Sequence, residues 1–189
     1  MIVLVVGGIG VGKSAVMSLL EEFGANTVYA DKLNRKLLED RDYLELLSKT
    51  FDGVVVDGNF DKVKLRSLIV SNDDAREKLN SLAHPRIFSM IERETSSNGL
   101  YFVEIPLLSQ CLNAVRYDKI CAVTAPKDVR ARRVVERDGV AFSDAMNIIN
   151  IQAQEDSLVE IADFVINNDD DLNNLRLQTK SMFEQCKIG

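Results

Sequence analysis

Five consecutive apolar residues, Ile2 to Val6, open the hydrophobic pattern of this chain with no polar position among them. A half-exposed strand alternates apolar and polar residues, so an unbroken run predicts a strand buried on both faces of a parallel sheet. Ala15 to Leu20 predicts a helix, and Gly24 its end. Asn26 to Ala30 reads as a short second strand ending at Asp31. Leu33, Leu37 and Leu38 set a helical stripe over 32–39, and Tyr43 to Leu47 adds another turn or two. Phe51-Asp52-Gly53 and Asp57-Gly58-Asn59 are turn signals around Val54–Val56.

From Asp61 to Glu94 the pattern is helical and no strand is expected. Leu65, Leu68 and Ile69 form one stripe. Asn72 or Asp73 can cap the next helix, which Leu79 and Leu82 carry to His84-Pro85. Proline disfavours helical geometry at the residue before it, so a break is expected there, with Pro85 opening a further helix that buries Ile87, Met90 and Ile91. Strands resume at Leu100–Ile105, Lys119–Val123 and Phe164–Ile166. Asp169-Asp170-Asp171 reads as the capped start of a closing helix lined by Leu172, Leu175, Thr179, Met182 and Phe183. Alternating strands and helices predict an α/β fold around a parallel sheet.

Length and composition narrow the class. A chain of 189 residues fits one domain over 1–189, and without linkers or repeats any subdomain must be an insertion. Hydrophobic residues at 46% and charged residues at 28% indicate a soluble globular protein. A net charge of −6 argues against a sequence-independent nucleic-acid surface. Cys111, Cys121 and Cys186 show no C-x-x-C spacing and are expected reduced, in the cytoplasm. The opening apolar run is too short for a signal segment, and no run approaches the roughly 20 apolar residues of a membrane span.

Chemistry enters directly after the first strand. Gly7, Gly12, Lys13 and Ser14 fit Gly-x-x-x-x-Gly-Lys-[Ser/Thr], the phosphate-binding P-loop, in the strand–loop–helix context that its mechanism needs. The nucleotide candidates are Gly8, Ile9, Gly10, Val11, Gly12, Lys13, Ser14 and Ala15. Main-chain amides cradle phosphate oxygens, Lys13 reaches the terminal phosphates of ATP, and the Ser14 hydroxyl is the expected Mg²⁺ ligand. No Asp-x-x-Gly or Asn-Lys-x-Asp is present, which removes a GTPase switch. Asp31, just past a strand end, suits the base that accepts a proton from an acceptor hydroxyl; it equally suits a helix N-cap. Arg130, Arg133 and Arg137 recur at helical spacing, as a solvated face or as a phosphate-binding lid. Glu104 could hold Mg²⁺ through water, orient Lys13, or be a satisfied strand-end carboxylate. His84, the only histidine, is structural or touches substrate.

With these residues in place, the chain resembles the dephospho-CoA kinase family from the P-loop to about Asn168. Gly7–Ser14 is similar to that family's loop, and Tyr29-Ala30-Asp31 to its Asp-Ala-Asp segment, whose second aspartate is the proposed base. Phe60-Asp61-Lys62 with Leu65, then His84-Pro85, resemble its acceptor-binding part, and Ile105-Pro106-Leu107-Leu108 its Pro-Leu-Leu motif. Arg133, Arg137-Asp138, Gln152, Ala162-Asp163 and Asn168 follow its lid and nucleotide-side order. Tyr29, Gln110, Arg130 and Lys62 depart from its usual residues.

The resemblance implies a three-layer P-loop NTPase fold with a five-stranded parallel sheet, a helical acceptor subdomain at 40–98 and a lid at 127–160. It implies ATP-dependent phosphorylation of the ribose 3′-hydroxyl of dephospho-CoA with Mg²⁺. Asp31, Lys13, Arg133 and Arg137 would be catalytic, and Asn168 would lie on the nucleotide side. Asp31, His84, Pro106 and Leu107 would lie on the substrate side. A monomer or weak homo-oligomer with no nucleic-acid or membrane partner is expected. Another P-loop small-molecule or nucleotide kinase, or a non-catalytic nucleotide-binding module, are the alternatives.

Overall fold

In the computed structural model, which describes residues 1–56, 59–70, 72–107, 116–169 and 171–188, the opening apolar run forms β1 (Ile2–Val6). The Asp57-Gly58 turn signal, Leu108, Gln110, Cys111 and Asp170 lie outside the described residues. The chain divides into two compact units, Met1–Tyr29 with Glu94–Gly189, and Ala30–Arg93.

The first unit is built on a parallel five-stranded sheet. β1 is central, flanked by β5 (Tyr101–Glu104) and β6 (Lys119–Thr124), with β2 (Asn26–Tyr29) and β7 (Phe164–Asn167) at the edges. The register sets Val5 beside both Glu104 and Cys121. Val3 to Val6 are completely buried, as a strand covered on both faces requires. Parallel strands need crossovers, and helices supply them. Helices α1 (Lys13–Glu22) and α9 (Leu172–Ile188) pack together, and their Met17, Leu20, Met182 and Phe183 share a core with Val3, Val5, Phe102, Cys121 and Ile166. Asp171 caps α9, its Oδ1 accepting the Asn174 N–H at 2.9 Å, as the Asp169–Asp171 run predicts. Helices α6 (Lys127–Asp138) and α7 (Phe142–Ile151) pair through Ala131, Val134, Ala145 and Ile149, followed by the one-turn α8 (Ala153–Asp156).

The second unit is helical: α2 (Ala30–Leu37), α3 (Arg41–Thr50), α4 (Lys62–Val70) and α5 (Asp73–Glu94). Two expectations change here. Asp31 is not an N-cap; it sits within the first turn of α2, which starts directly after β2. A small antiparallel hairpin of β3 (Val55–Val56) and β4 (Asn59–Phe60) precedes the 61–94 block, which carries no strand among its described residues. Finally, α5 runs unbroken through Pro85. Its buried residues Ala83, Ile87 and Ile91 lie one turn apart on both sides of the proline, so continuous burial outweighs one lost main-chain bond. Asn72 caps this helix, its Oδ1 accepting the Ala75 N–H at 3.0 Å. No helix among the described residues is long and apolar enough to cross a membrane.

Candidate active site

The phosphate loop leaves the carboxyl end of β1 and enters α1 through Gly12, at φ +94°. A side chain there would be strained, and its Cβ would fall 2.0 Å from Asn168 Nδ2. Glycine is therefore required by conformation and by space. Because Gly12 caps α1 without a side chain, and no acidic residue stands in the first turn, nothing anionic of the helix itself competes for the positive end of its dipole. Lys13 Nζ donates to the Gly7 carbonyl at 2.6 Å and reaches Gly8 O at 3.5 Å, so the ammonium lies over the loop's own main chain. Ser14 is exposed in the first turn of α1, with Ala15 half-buried behind it.

Side chains distant in sequence hold the loop in shape. Asn168, directly after β7, is buried; its Nδ2 donates to Val11 O at 2.8 Å and its main-chain N–H to Thr124 O at 2.8 Å. Arg133 on α6 donates from Nη2 to Asn168 O at 3.0 Å and from Nη1 to Gly10 O at 3.3 Å. Gln152 Oε1 accepts the Ile9 N–H at 2.8 Å. Arg130, only 2% exposed, donates from Nε to Ile9 O at 2.9 Å and pairs through Nη1 with Asp156 Oδ1 at 2.7 Å. Its Nη2 is buried without a hydrogen-bond partner among the described residues, a condition that ordinarily costs about 1–3 kcal/mol.

The arginine stripe of α6 thus divides into three different residues. Arg130 is buried, Arg133 braces the loop, and Arg137 is exposed and forked onto its neighbour Asp138 at 2.7 Å. That fork holds the Asp138 carboxyl below the usual range through its hydrogen bonds and charge. Neither a uniformly solvated face nor a uniform phosphate lid describes the stripe. Gln152, Arg133 and Asn168, drawn from the family resemblance, converge on the loop. Asp156 was missed in the sequence, where nothing marks it as the counter-ion of a residue 26 positions earlier. Asp163 proves structural: its carboxylate accepts the Ile120 N–H at 2.8 Å.

Pro106 and Leu107 follow β5 and are half-buried. Among the described residues no cluster of three or more His, Cys, Asp or Glu side chains could hold a metal ion. The Tyr29 hydroxyl donates to Glu21 Oε1 at 2.7 Å; burial first, then that carboxylate, pushes its pKa well above the ordinary tyrosine value. Asp31 and His84 belong to the second unit. Asp31 is exposed; His84 is half-buried with its ring 5.5 Å from that of Phe88, and burial lowers its pKa. The same unit contains a cavity of about 510 Å³ lined by residues of α2 and α5, among them Lys36, Leu37, Pro85, Arg86, Met90 and Arg93.

The model of the dephospho-CoA kinase family, CoaE, matches residues 1–174. The chain belongs to the dephospho-CoA kinase family. It is 31% identical over 179 residues to the dephospho-CoA kinase of Fusobacterium nucleatum, covering 93% of each chain. Among solved structures it is similar to TT1252 from Thermus thermophilus, with a TM-score of 0.85 at 29% identity over 98% of this chain and 97% of that one. It also shares the fold of dephospho-CoA kinase from Campylobacter jejuni, with a TM-score of 0.67 at 23% identity over 100% and 98%. The fold is that of P-loop kinases, and the family's chemistry is ATP-dependent phosphorylation of dephospho-CoA.

Proposed function

We propose that this chain transfers the γ-phosphoryl group of ATP to the ribose 3′-hydroxyl of dephospho-CoA, giving CoA and ADP. The observation that carries this reading is the braced loop Gly7–Ser14, opening into a helix end with no side-chain cap, in a member of this kinase family. The 3′-oxygen forms a bond to the γ-phosphorus while the bond to the β,γ-bridging oxygen breaks, and the hydroxyl proton passes to a carboxylate. We assign that carboxylate to Asp31, exposed in the first turn of α2 and matching the family's second aspartate. Lys13 would exchange its bond to Gly7 O for a phosphate oxygen. Mg²⁺, when bound through the Ser14 hydroxyl, supplies neutralisation of phosphate charge.

The main-chain amides of Gly8–Ala15 are assigned to the triphosphate, with Asn168 and Arg133 holding them in place. Arg137, exposed and paired with its neighbour Asp138, is assigned to the transferring phosphoryl. Asp31, His84, Pro106 and Leu107 are assigned to the acceptor side. The cavity of the second unit falls in the range of roughly 300–1,000 Å³ usual for small-molecule sites, and we assign it to the pantetheine end. The reading includes a cytoplasmic, monomeric or weakly associating enzyme without nucleic-acid or membrane partners.

The test is ADP release measured with ATP and a panel of alcohols: dephospho-CoA, adenosine, pantetheine and a small hydroxy acid. Acceptor-dependent release is expected with dephospho-CoA, with CoA as the phosphorylated product. Equal or greater release with another member of the panel would reassign the acceptor. ATP binding without any acceptor-dependent release would make the protein a nucleotide-binding module.

A further inference from the structure

Arg130 contacts three successive residues of the phosphate loop from one side. Its Nε donates to Ile9 O at 2.9 Å. A Cβ on Gly8 would stand 2.3 Å from its Nη2, and a Cβ on Gly10 would stand 2.7 Å from its main-chain oxygen. With Gln152 Oε1 on the Ile9 N–H, both polar groups of that residue's main chain are held by side chains. The guanidinium is in turn oriented by Asp156, whose own side chain is 39% exposed.

General stability does not account for this arrangement. A cation 2% exposed, with one ion-pair partner and one nitrogen left unpaired among the described residues, is costly compared with an apolar side chain of similar volume. Such unfavourable features persist where the surrounding structure over-determines them, and they gather at functional sites. A guanidinium has what an apolar side chain lacks: a rigid fork of donors that can bond a loop carbonyl and a carboxylate at once.

We infer that Arg130 is a positioning residue for the nucleotide: it presets the Gly8–Gly10 main chain in its anion-binding shape and ties that shape, through Asp156, to α8. It touches no phosphate itself, being closed off from solvent beneath the loop. Its loss should therefore weaken ATP binding while leaving the phosphoryl-transfer step largely intact. This inference rests on the proposal that the loop binds ATP.

The experiment compares Arg130→Gln and Arg130→Lys with the unaltered protein by calorimetric titration of ATP with Mg²⁺, steady-state kinetics and thermal unfolding. Losing one charged hydrogen bond to the loop should raise Kd and KM for ATP by about tenfold in Arg130→Gln. In Arg130→Lys, which cannot span Ile9 O and Asp156 together, the rise should be at least about threefold. In both variants kcat at saturating ATP should fall by less than about threefold, and KM for dephospho-CoA should not move. Gly8→Ala, which puts a methyl 2.3 Å from Nη2, should weaken ATP binding in the unaltered protein but add less than about twofold in the Arg130→Gln background. Folded Arg130→Lys binding ATP as tightly as the unaltered protein, even with a lowered Tm, would overturn the inference. So would an equal cost of Gly8→Ala in both backgrounds. Should Arg130→Gln not fold, the Arg130→Lys affinity decides. ATP titration of the unaltered protein tests the underlying reading separately.

Discussion

In the first unit buried polar side chains grip main chain. Asn168 holds Val11, Arg130 holds Ile9, and Thr179 returns a bond to Leu175 within α9. All the buried polar or charged residues found among the described ones, Arg130, Glu155, Asn168 and Thr179, belong to this unit. The second unit buries apolar groups and Tyr43, and its charged side chains among the described residues stand at the surface or around an open cavity. Under the proposed function, the contrast follows from what each unit would bind. A triphosphate is small and recognised by main-chain amides, so the loop must be held closely in shape, and buried polar contacts do that. A long, flexible acceptor arm needs room and a few side chains with freedom to adjust. Substitutions among the loop-bracing side chains of the first unit should then disturb nucleotide binding together with folding, and those in the second should leave ATP binding unchanged.

The strongest test falls on Asp31. Asp31→Asn keeps the shape of the side chain and removes its basicity, so kcat should drop by roughly 10²–10⁴-fold while the Kd for ATP changes little. Turnover near that of the unaltered enzyme would remove Asp31 from the chemistry, and weakened ATP binding would blur the division between the units. Asn168→Ala comes next. It strips the 2.8 Å bond from Val11 O, leaving that carbonyl the longer 3.4 Å bond from Arg133 Nη1, and removes the Oδ1 that Arg133 Nη2 reaches at 3.4 Å, so unfolding should become easier by about 1–3 kcal/mol and ATP affinity should fall with it. Denaturation midpoints and ATP titration on the same preparation would show whether the two losses travel together.

A pH series reads the same contrast in the core. Burial pushes the Cys121 thiol from 9.0 up to about 12. The folded state keeps this thiol protonated where the unfolded chain has released its proton, so the contribution is intact below pH 9 and is lost as pH rises toward 12. Chemical-denaturation midpoints should fall over that window in the unaltered protein and fall less steeply in Cys121→Ala; parallel curves would mean that the thiol does not titrate with unfolding.

The loop and sheet were legible because their signals are local and redundant: Val3–Val6 is an unbroken apolar run, and Gly12-Lys13-Ser14 has one context that makes physical sense. What stayed hidden depends on groups far apart in the chain. The spacing of Arg130, Arg133 and Arg137 says that they share a helix face; it cannot say that the first is buried against Ile9, 121 positions away. Pro85 misled for the opposite reason. The local rule is sound, but Ala83, Ile87 and Ile91 are held by their packing, and packing overrides it. Asp31 was placed one step outside α2 because the strand passes into the helix with no loop in which a cap could sit.

The smallest effect is the sharpest on the contrast itself. Arg86 lines the cavity of the second unit, donates to Leu82 O at 2.9 Å and lies 5.7 Å from the centre of the Tyr43 ring. It is exposed, so these contacts are screened by water, and Arg86→Ala should cost no more than about 0.5–1 kcal/mol of stability. If the cavity seats the acceptor, KM for dephospho-CoA should rise severalfold, by roughly 1 kcal/mol in binding, with Kd for ATP unchanged. A shift in ATP binding of the same size would show that the second unit does not act on the acceptor alone. An unchanged KM would remove the cavity from the acceptor's path, because a guanidinium on its wall should interact with a bound polar chain and with its diphosphate more strongly than with water.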